Sequence, residues 1–262
     1  MPFTPSHAVV ALVFRNSPIP ASAVAVGAVV PDLGLYLPVT RARESTHSLL
    51  GIVTVDLLLG AVGLLLWTVL LAPAWRDLSP WIVRARLKPP AAPPRDVRAI
   101  ATWLLLAATG LVTGSATHVL WDGFTHAGGP FVAAIPFLQA EFGPFTGYKW
   151  AQYGSGVLGL LGLGIAAGVW YIGRRPRIIE ADDHGEARLA AWTVVLVAAI
   201  VPAGVVLVGT GLDPFEEAYR PYVVDAAVLM VGWTATAAVV VALLWRLVVR
   251  PAPRRQVDPD PS

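Results

Sequence analysis

The chain contains no cysteine and little charge. Without thiols there is no disulfide frame and no thiolate metal site, so any metal ion must sit on histidine and carboxylate. Charged residues make up 14% of the 262 positions and apolar ones 56%, with a positive mean hydropathy. No ordinary soluble domain of this length has such a composition. The net charge is only +2. Its basic residues fall in patches beside apolar segments instead of one continuous stripe, which argues against a nucleic-acid partner. A cleavable leader is not expected, because the residues from Met1 to His7 lack a basic stretch and Arg15 interrupts the apolar run that follows.

What is present is a set of long apolar runs. Five are long enough for a hydrocarbon core about 30 Å thick: Thr46 to Ala72, Ile100 to Trp121, Ser155 to Ile172, Leu189 to Gly209 and Val223 to Val249. The expected fold is therefore all-α, a polytopic membrane bundle of about five transmembrane helices. Two shorter pieces, Ala8 to Phe14 and Ala21 to Val30, are joined by Asn16-Ser-Pro-Ile-Pro20 and read as a helical hairpin whose tip other helices must cover. The chain divides accordingly into this hairpin (1–38), a core with an outer loop (39–155), C-terminal spans (156–250) and a disordered tail (251–262).

Arg and Lys gather at Pro73 to Ala99, at Arg174 to Arg177 and in the tail, all on one side if the five spans are real. The positive-inside bias makes that side cytoplasmic, places the C-terminus there, and assigns the chain to the inner membrane of the cell as a multi-pass protein. On the same argument Trp67, Trp103, Trp170, Trp192 and Trp245 mark the inner boundary. Trp121, Trp150 and Tyr222 mark the outer one. The acidic group Glu180, Asp182, Asp183 and Glu186, with His184 inside it, reads as a solvated turn.

The most informative stretch is Gly114-Ser-Ala-Thr-His-Val-Leu-Trp-Asp-Gly-Phe-Thr-His126. His118 and Asp122 are four apart and share one helix face, so both can reach a single cation; His126 extends the row if the helix survives Gly123. The plain alternative is a pair of interfacial polar residues facing water. Under the topology above, His47 opens the first span at the same membrane face, while His7 and Asp32 lie at the mouth of the hairpin. Residues scattered over more than a hundred positions thus converge, which is uncommon for intramembrane ionisable groups.

The functional reading is a metal site with His47, His118 and Asp122 as its centre and His7, Asp32 and His126 completing it. Mixed imidazole and carboxylate ligands suit zinc, with manganese or iron as alternatives. Hydrolysis is the natural chemistry, with Asp32 or Asp122 as ligand or base. Thr46, Ser48, Thr117 and Thr125 either orient the imidazoles or cap helix ends. Asp56 is expected to stand off the site, half a helical rotation from His47, and to make a structural hydrogen bond. Asp225 is a weaker candidate. The aromatic loop from Gly129 to Gly154 is expected in the headgroup layer above the site, as a lid or as simple packing.

Pro31-Asp32, Thr46-His47-Ser48 and His118-x-x-x-Asp122, after an early His7, resemble the inner-membrane metal-dependent hydrolase family and its relatives of unknown function. The ligand order is distantly similar to zinc-dependent phospholipase C. The resemblance spans roughly the first 130 residues and implies a membrane-embedded phosphoester hydrolase with membrane lipids, or a lipid-linked phosphoester, as partner or substrate. Gly34 stands where that family tends to have a second Asp, and Ala42-Arg43 where it has His-Arg. The competing classes are a small transporter and a structural protein clamped by a metal.

Overall fold

The structure, a computed structural model, describes residues 4–36, 43–88, 96–179, 182–212 and 217–249. The tail expected at 251–262 lies outside the described residues. The fold is an all-helical bundle with a single two-residue β-pairing, Glu141–Phe142 with Phe145–Thr146. Five helices are long and apolar enough to cross a membrane. We label the short hairpin helix Ala21–Gly27 α1 and the five long ones α2 (Val55–Leu78), α3 (Val97–Thr125), α4 (Gly147–Ile172), α5 (Gly185–Gly209) and α6 (Arg220–Val248). Many of their apolar side chains, Leu58, Leu158 and Val205 among them, point away from any protein neighbour. Hydrocarbon is the solvent such surfaces need, and the protein is a multi-pass membrane protein.

The first span departs most from expectation. A continuous helix from Thr46 gives way to two short helices, Arg43–Thr46 and Leu49–Val53, and α2 begins only at Val55. Ser48 causes the first break: its hydroxyl accepts a bond from the Gly51 N–H at 2.9 Å, capping Leu49–Val53. Thr54 causes the second, with φ −121° and ψ −86° outside the helical region. Helix α2 then runs past Ala72 to Leu78 through a π-turn at Trp67–Leu71. The other spans match in place but start earlier; Asp96 caps α3 by accepting from the Ala99 N–H at 3.0 Å.

The hairpin forms from two short apolar arms. Its first arm, Thr4–Phe14, is 3₁₀ in character and lies on α4, and its second, α1, lies on α3. Backbone meets backbone at the α1–α3 contact. A Cβ on Gly27 would come within 2.8 Å of the Leu111 carbonyl carbon, and one on Gly114 within 2.6 Å of the Ala28 nitrogen. Ser115 Oγ donates to the Gly27 carbonyl at 3.0 Å across the same seam. Small residues allow this approach, as they do wherever helices associate without a hydrophobic driving force.

At the opposite end of α2, Leu70, Ala74 and Leu78 pack with Val241, Ala242 and Trp245. Trp245 is therefore packed between helices, with the Arg188 guanidinium over its ring at this end of the bundle. The acidic turn is also more than solvated: Asp182 binds Arg188 at 2.5 Å and Arg84 at 2.6 Å, joining the loop after α2 to the start of α5. The Arg188 guanidinium, aided by Arg84, holds the Asp182 carboxyl well below the usual carboxylate range. A depressed folded-state pKa stabilises the fold above the unfolded value of 3.8 and ceases to do so as pH falls beneath it. Asp182→Asn is expected to lower the melting temperature at neutral pH by a modest amount and to shrink the further loss that wild type shows on acidification. An unchanged acid limb in the variant would show that this ion pair does not contribute.

Candidate metal centre

The close α1–α3 seam sets the first ligand. Because Gly27 and Gly114 let the two backbones touch, the Ala28 carbonyl lies over His118, and His118 Nδ1 stands 2.8 Å from it. A carbonyl only accepts, so Nδ1 carries the proton and Nε2 presents a lone pair in a neutral imidazole. His118 is fully buried, and its Nε2 has no hydrogen-bond partner. His47 is fixed in the same way by different means. The Thr46 hydroxyl spends its proton on the Pro31 carbonyl at 2.9 Å, leaving Oγ1 to accept from His47 Nδ1 at 3.1 Å. His47 Nε2 is then also a lone-pair donor. Each imidazole is held in the ligand tautomer by a partner on its far nitrogen.

Both Nε2 atoms look at carboxylates. His47 Nε2 lies 3.5 Å from Asp32 and 3.4 Å from Asp122, and His118 Nε2 lies 3.6 Å from each. These spacings exceed the roughly 2.7–2.9 Å of a charge-assisted hydrogen bond. They fit a shared ion: two atoms each about 2.1 Å from it and about 109° apart around it lie about 3.4 Å from one another. One ligand atom from each of Asp32, His47, His118 and Asp122 falls within 4.8 Å of the others, and the cluster could hold a metal ion. Asp32 is steadied from behind, with its Oδ2 accepting from Thr4 Oγ1 at 2.8 Å and Thr4 Oγ1 accepting from Tyr36 at 2.8 Å.

Two predicted ligands flank this group of four on the other oxygen of Asp122. His7 Nε2 is 3.8 Å from Asp122 Oδ1, with its ring stacked on that of His118 at 4.0 Å between centroids. His126 Nδ1 is 3.4 Å from the same oxygen. Helix α3 does not fray at Gly123 but continues to Thr125; glycine is needed there because a Cβ would come within 2.8 Å of the Phe131 ring. Gln152, reached from Lys149 at 3.0 Å through its carbonyl oxygen, turns its amide nitrogen to His126 Nε2 at 3.2 Å. The amide donates, so His126 aims an N–H at Asp122.

Thr4, Tyr36 and Gln152 escaped sequence reasoning because their partners are at least 26 positions away in the chain. Only the polar character of Gln152 near the start of an apolar helix signals it. Of the hydroxyls, Thr46 orients a ligand and Ser48 caps a helix, while Thr117 and Thr125 return to the α3 backbone at Gly114 and Trp121. Asp225 is exposed and outside the cluster.

Asp56 stands outside the group of four, as expected, but does not make the expected structural hydrogen bond: it is completely buried, and among the described residues neither carboxylate oxygen has a hydrogen-bond partner. The helix is interrupted at Thr54, so rotation counted from His47 does not describe where Asp56 points.

Fold and site together define a polytopic helical membrane protein with an internal cluster of histidine and aspartate able to hold a metal ion. The chain belongs to the family described as a domain of unknown function (DUF4184), whose model matches residues 1–246. Neither the curated proteins nor the solved structures contain a match to it.

Proposed function

We propose that this protein is a metal-dependent hydrolase of phosphoester type, acting on a lipid or lipid-linked substrate at the membrane face where the cluster lies. By the charge bias of its loops that face is the outer one of the inner membrane, with the C-terminus in the cytoplasm. The observation that carries this reading is the pair of imidazoles whose Nε2 lone pairs face two carboxylates at coordination spacing. Asp32, His47, His118 and Asp122 would hold the ion, with zinc favoured by the ligand set and manganese or iron as alternatives. Such an ion supplies Lewis acidity and brings the pKa of water to about 7. Asp32 or Asp122 would serve as ligand or base, and His126 would orient the second oxygen of Asp122. His126, whose side chain is 33% exposed, is where the cluster opens toward solvent and a headgroup can enter. The resemblance of Pro31-Asp32, Thr46-His47-Ser48 and His118-x-x-x-Asp122 to membrane hydrolases supports the same chemistry.

Protein purified without chelator is expected to retain a stoichiometric divalent ion and to cleave a chromogenic phosphodiester. Chelation should abolish cleavage, and zinc or manganese should restore it. Metal that raises the melting temperature without any hydrolysis would identify a structural clamp instead. Asp56, a buried carboxylate inside a span, favours the transporter as second reading. Uptake of a divalent cation into proteoliposomes that Asp56→Asn abolishes would select it.

A further inference from the structure

At the end of α2 away from the cluster, the chain forms a cavity of about 400 Å³. Arg76, Arg84, Lys88 and Arg177 line it against one carboxylate, Asp77. Arg84 is paired with Asp182, whereas Arg76 and Arg177 are positioned by groups that do not neutralise them. Arg76 donates to the Lys88 carbonyl at 2.8 Å and Arg177 to the Leu87 carbonyl, groups that fix a guanidinium but carry no charge. Arg84 uses one nitrogen on Asp182, and its Nε is buried with no hydrogen-bond partner. Among the described residues, then, several fixed donors and an excess of positive charge meet in one recess.

The walls add a second property. Ala72, Pro73, Leu87 and Ile179 make part of the lining apolar. On the opposite face of the same end of α2, Trp67 and Trp75 are 38% and 46% exposed, which sets this end at the level of lipid headgroups, where indoles gather. A recess that is cationic at its polar side, apolar at its membrane side and set at headgroup depth matches an amphiphile with a phosphate head. Basic pockets between membrane helices bind such anionic headgroups.

We propose that this cavity is a binding site for the phosphate headgroup of an anionic phospholipid, with Arg76, Arg177 and Arg84 on the phosphate oxygens and the Ala72–Pro73 wall, nearer the centre of the span, against the start of the acyl chains. Arginine suits the role because its fork can engage phosphate oxygens in pairs. The site lies a full span from the histidine and aspartate cluster, about 30 Å along α2, so it stands independently of the hydrolase reading.

The full chain in nanodiscs of phosphatidylcholine doped with phosphatidylglycerol, released into native mass spectrometry, is expected to retain the anionic lipid in preference to the zwitterionic one. The double variant Arg76→Gln with Arg177→Gln should lose that preference by roughly 30-fold, the effect of two charges beside a membrane surface. Arg76→Lys with Arg177→Lys, which keeps the charge, should retain most of it. Matching melting temperatures of the variants in pure phosphatidylcholine confirm that folding is not what changed. If the glutamine variant matches wild type, or wild type shows no preference, the site is overturned. Displacement of the lipid by an equal concentration of inorganic phosphate would overturn the lipid assignment, because it would mean that the acyl wall contributes nothing.

Discussion

His47→Ala and His118→Ala are each expected to abolish binding of a divalent ion at the cluster, with affinity falling by more than the roughly 10–100-fold that follows loss of an outer partner of a ligand. The expectation follows from the spacing. Each Nε2 stands 3.4–3.6 Å from the carboxylates with which it would share an ion, so loss of either imidazole leaves one ligand position of that ion empty. His118 is fully buried, and cutting it to alanine also opens a cavity. His47, 13% exposed on a short inter-helix turn, is the cleaner test. Metal at a hundred times its dissociation constant stabilises a protein by about 2.7 kcal/mol. Wild type should show that gain as a raised melting temperature on zinc addition, and His47→Ala should show none. A His47→Ala protein that still titrates to full occupancy with unchanged affinity would remove the four-ligand centre.

Gly114→Ala is expected to be among the most disruptive small substitutions at the described residues. The added methyl would overlap the Val24 carbonyl oxygen and lie 2.6 Å from the Ala28 nitrogen, both backbone atoms that no side-chain rotation can clear. Overpacking of this kind costs about 1–3 kcal/mol or more. The damage should reach the site as well, since the same seam holds the Ala28 carbonyl 2.8 Å from His118 Nδ1. Gly164→Ala is the control: it sits in α4 with open space around it, and exchanging glycine for alanine in a helix gains up to about 1 kcal/mol. Thermal unfolding followed by circular dichroism separates the two, with zinc titration beside it. If Gly114→Ala melts with Gly164→Ala and binds zinc as tightly as wild type, backbone contact at the seam is not what orients the ligand.

Much of the site could be read from the chain. His118 and Asp122 were legible because helical periodicity alone puts positions four apart on one face. His47, His7 and Asp32 could be placed at one end of the bundle from the alternation of spans. Their arrangement around a common point could not. Tautomers depend on the Ala28 carbonyl and the Thr46 hydroxyl, contacts that join residues 90 positions apart in one case and neighbours in the other. Asp56 was placed correctly off the site, but the hydrogen bond expected of it depended on what other helices bring within reach, and among the described residues none supplies a partner. The acidic turn was misjudged too, since Arg84 lies 98 positions from Asp182.

What the sequence determined by itself was the solvent and the secondary structure: apolar runs of spanning length admit only helices in a medium that cannot hydrogen-bond the backbone. The tertiary structure decided which ionisable groups share a space and which nitrogen of each histidine faces it. Local pattern fixes where a side chain leaves its own helix, whereas the distance between atoms on separate helices is set by how closely their backbones pack, and here Gly27 and Gly114, one helical turn before His118, set that distance.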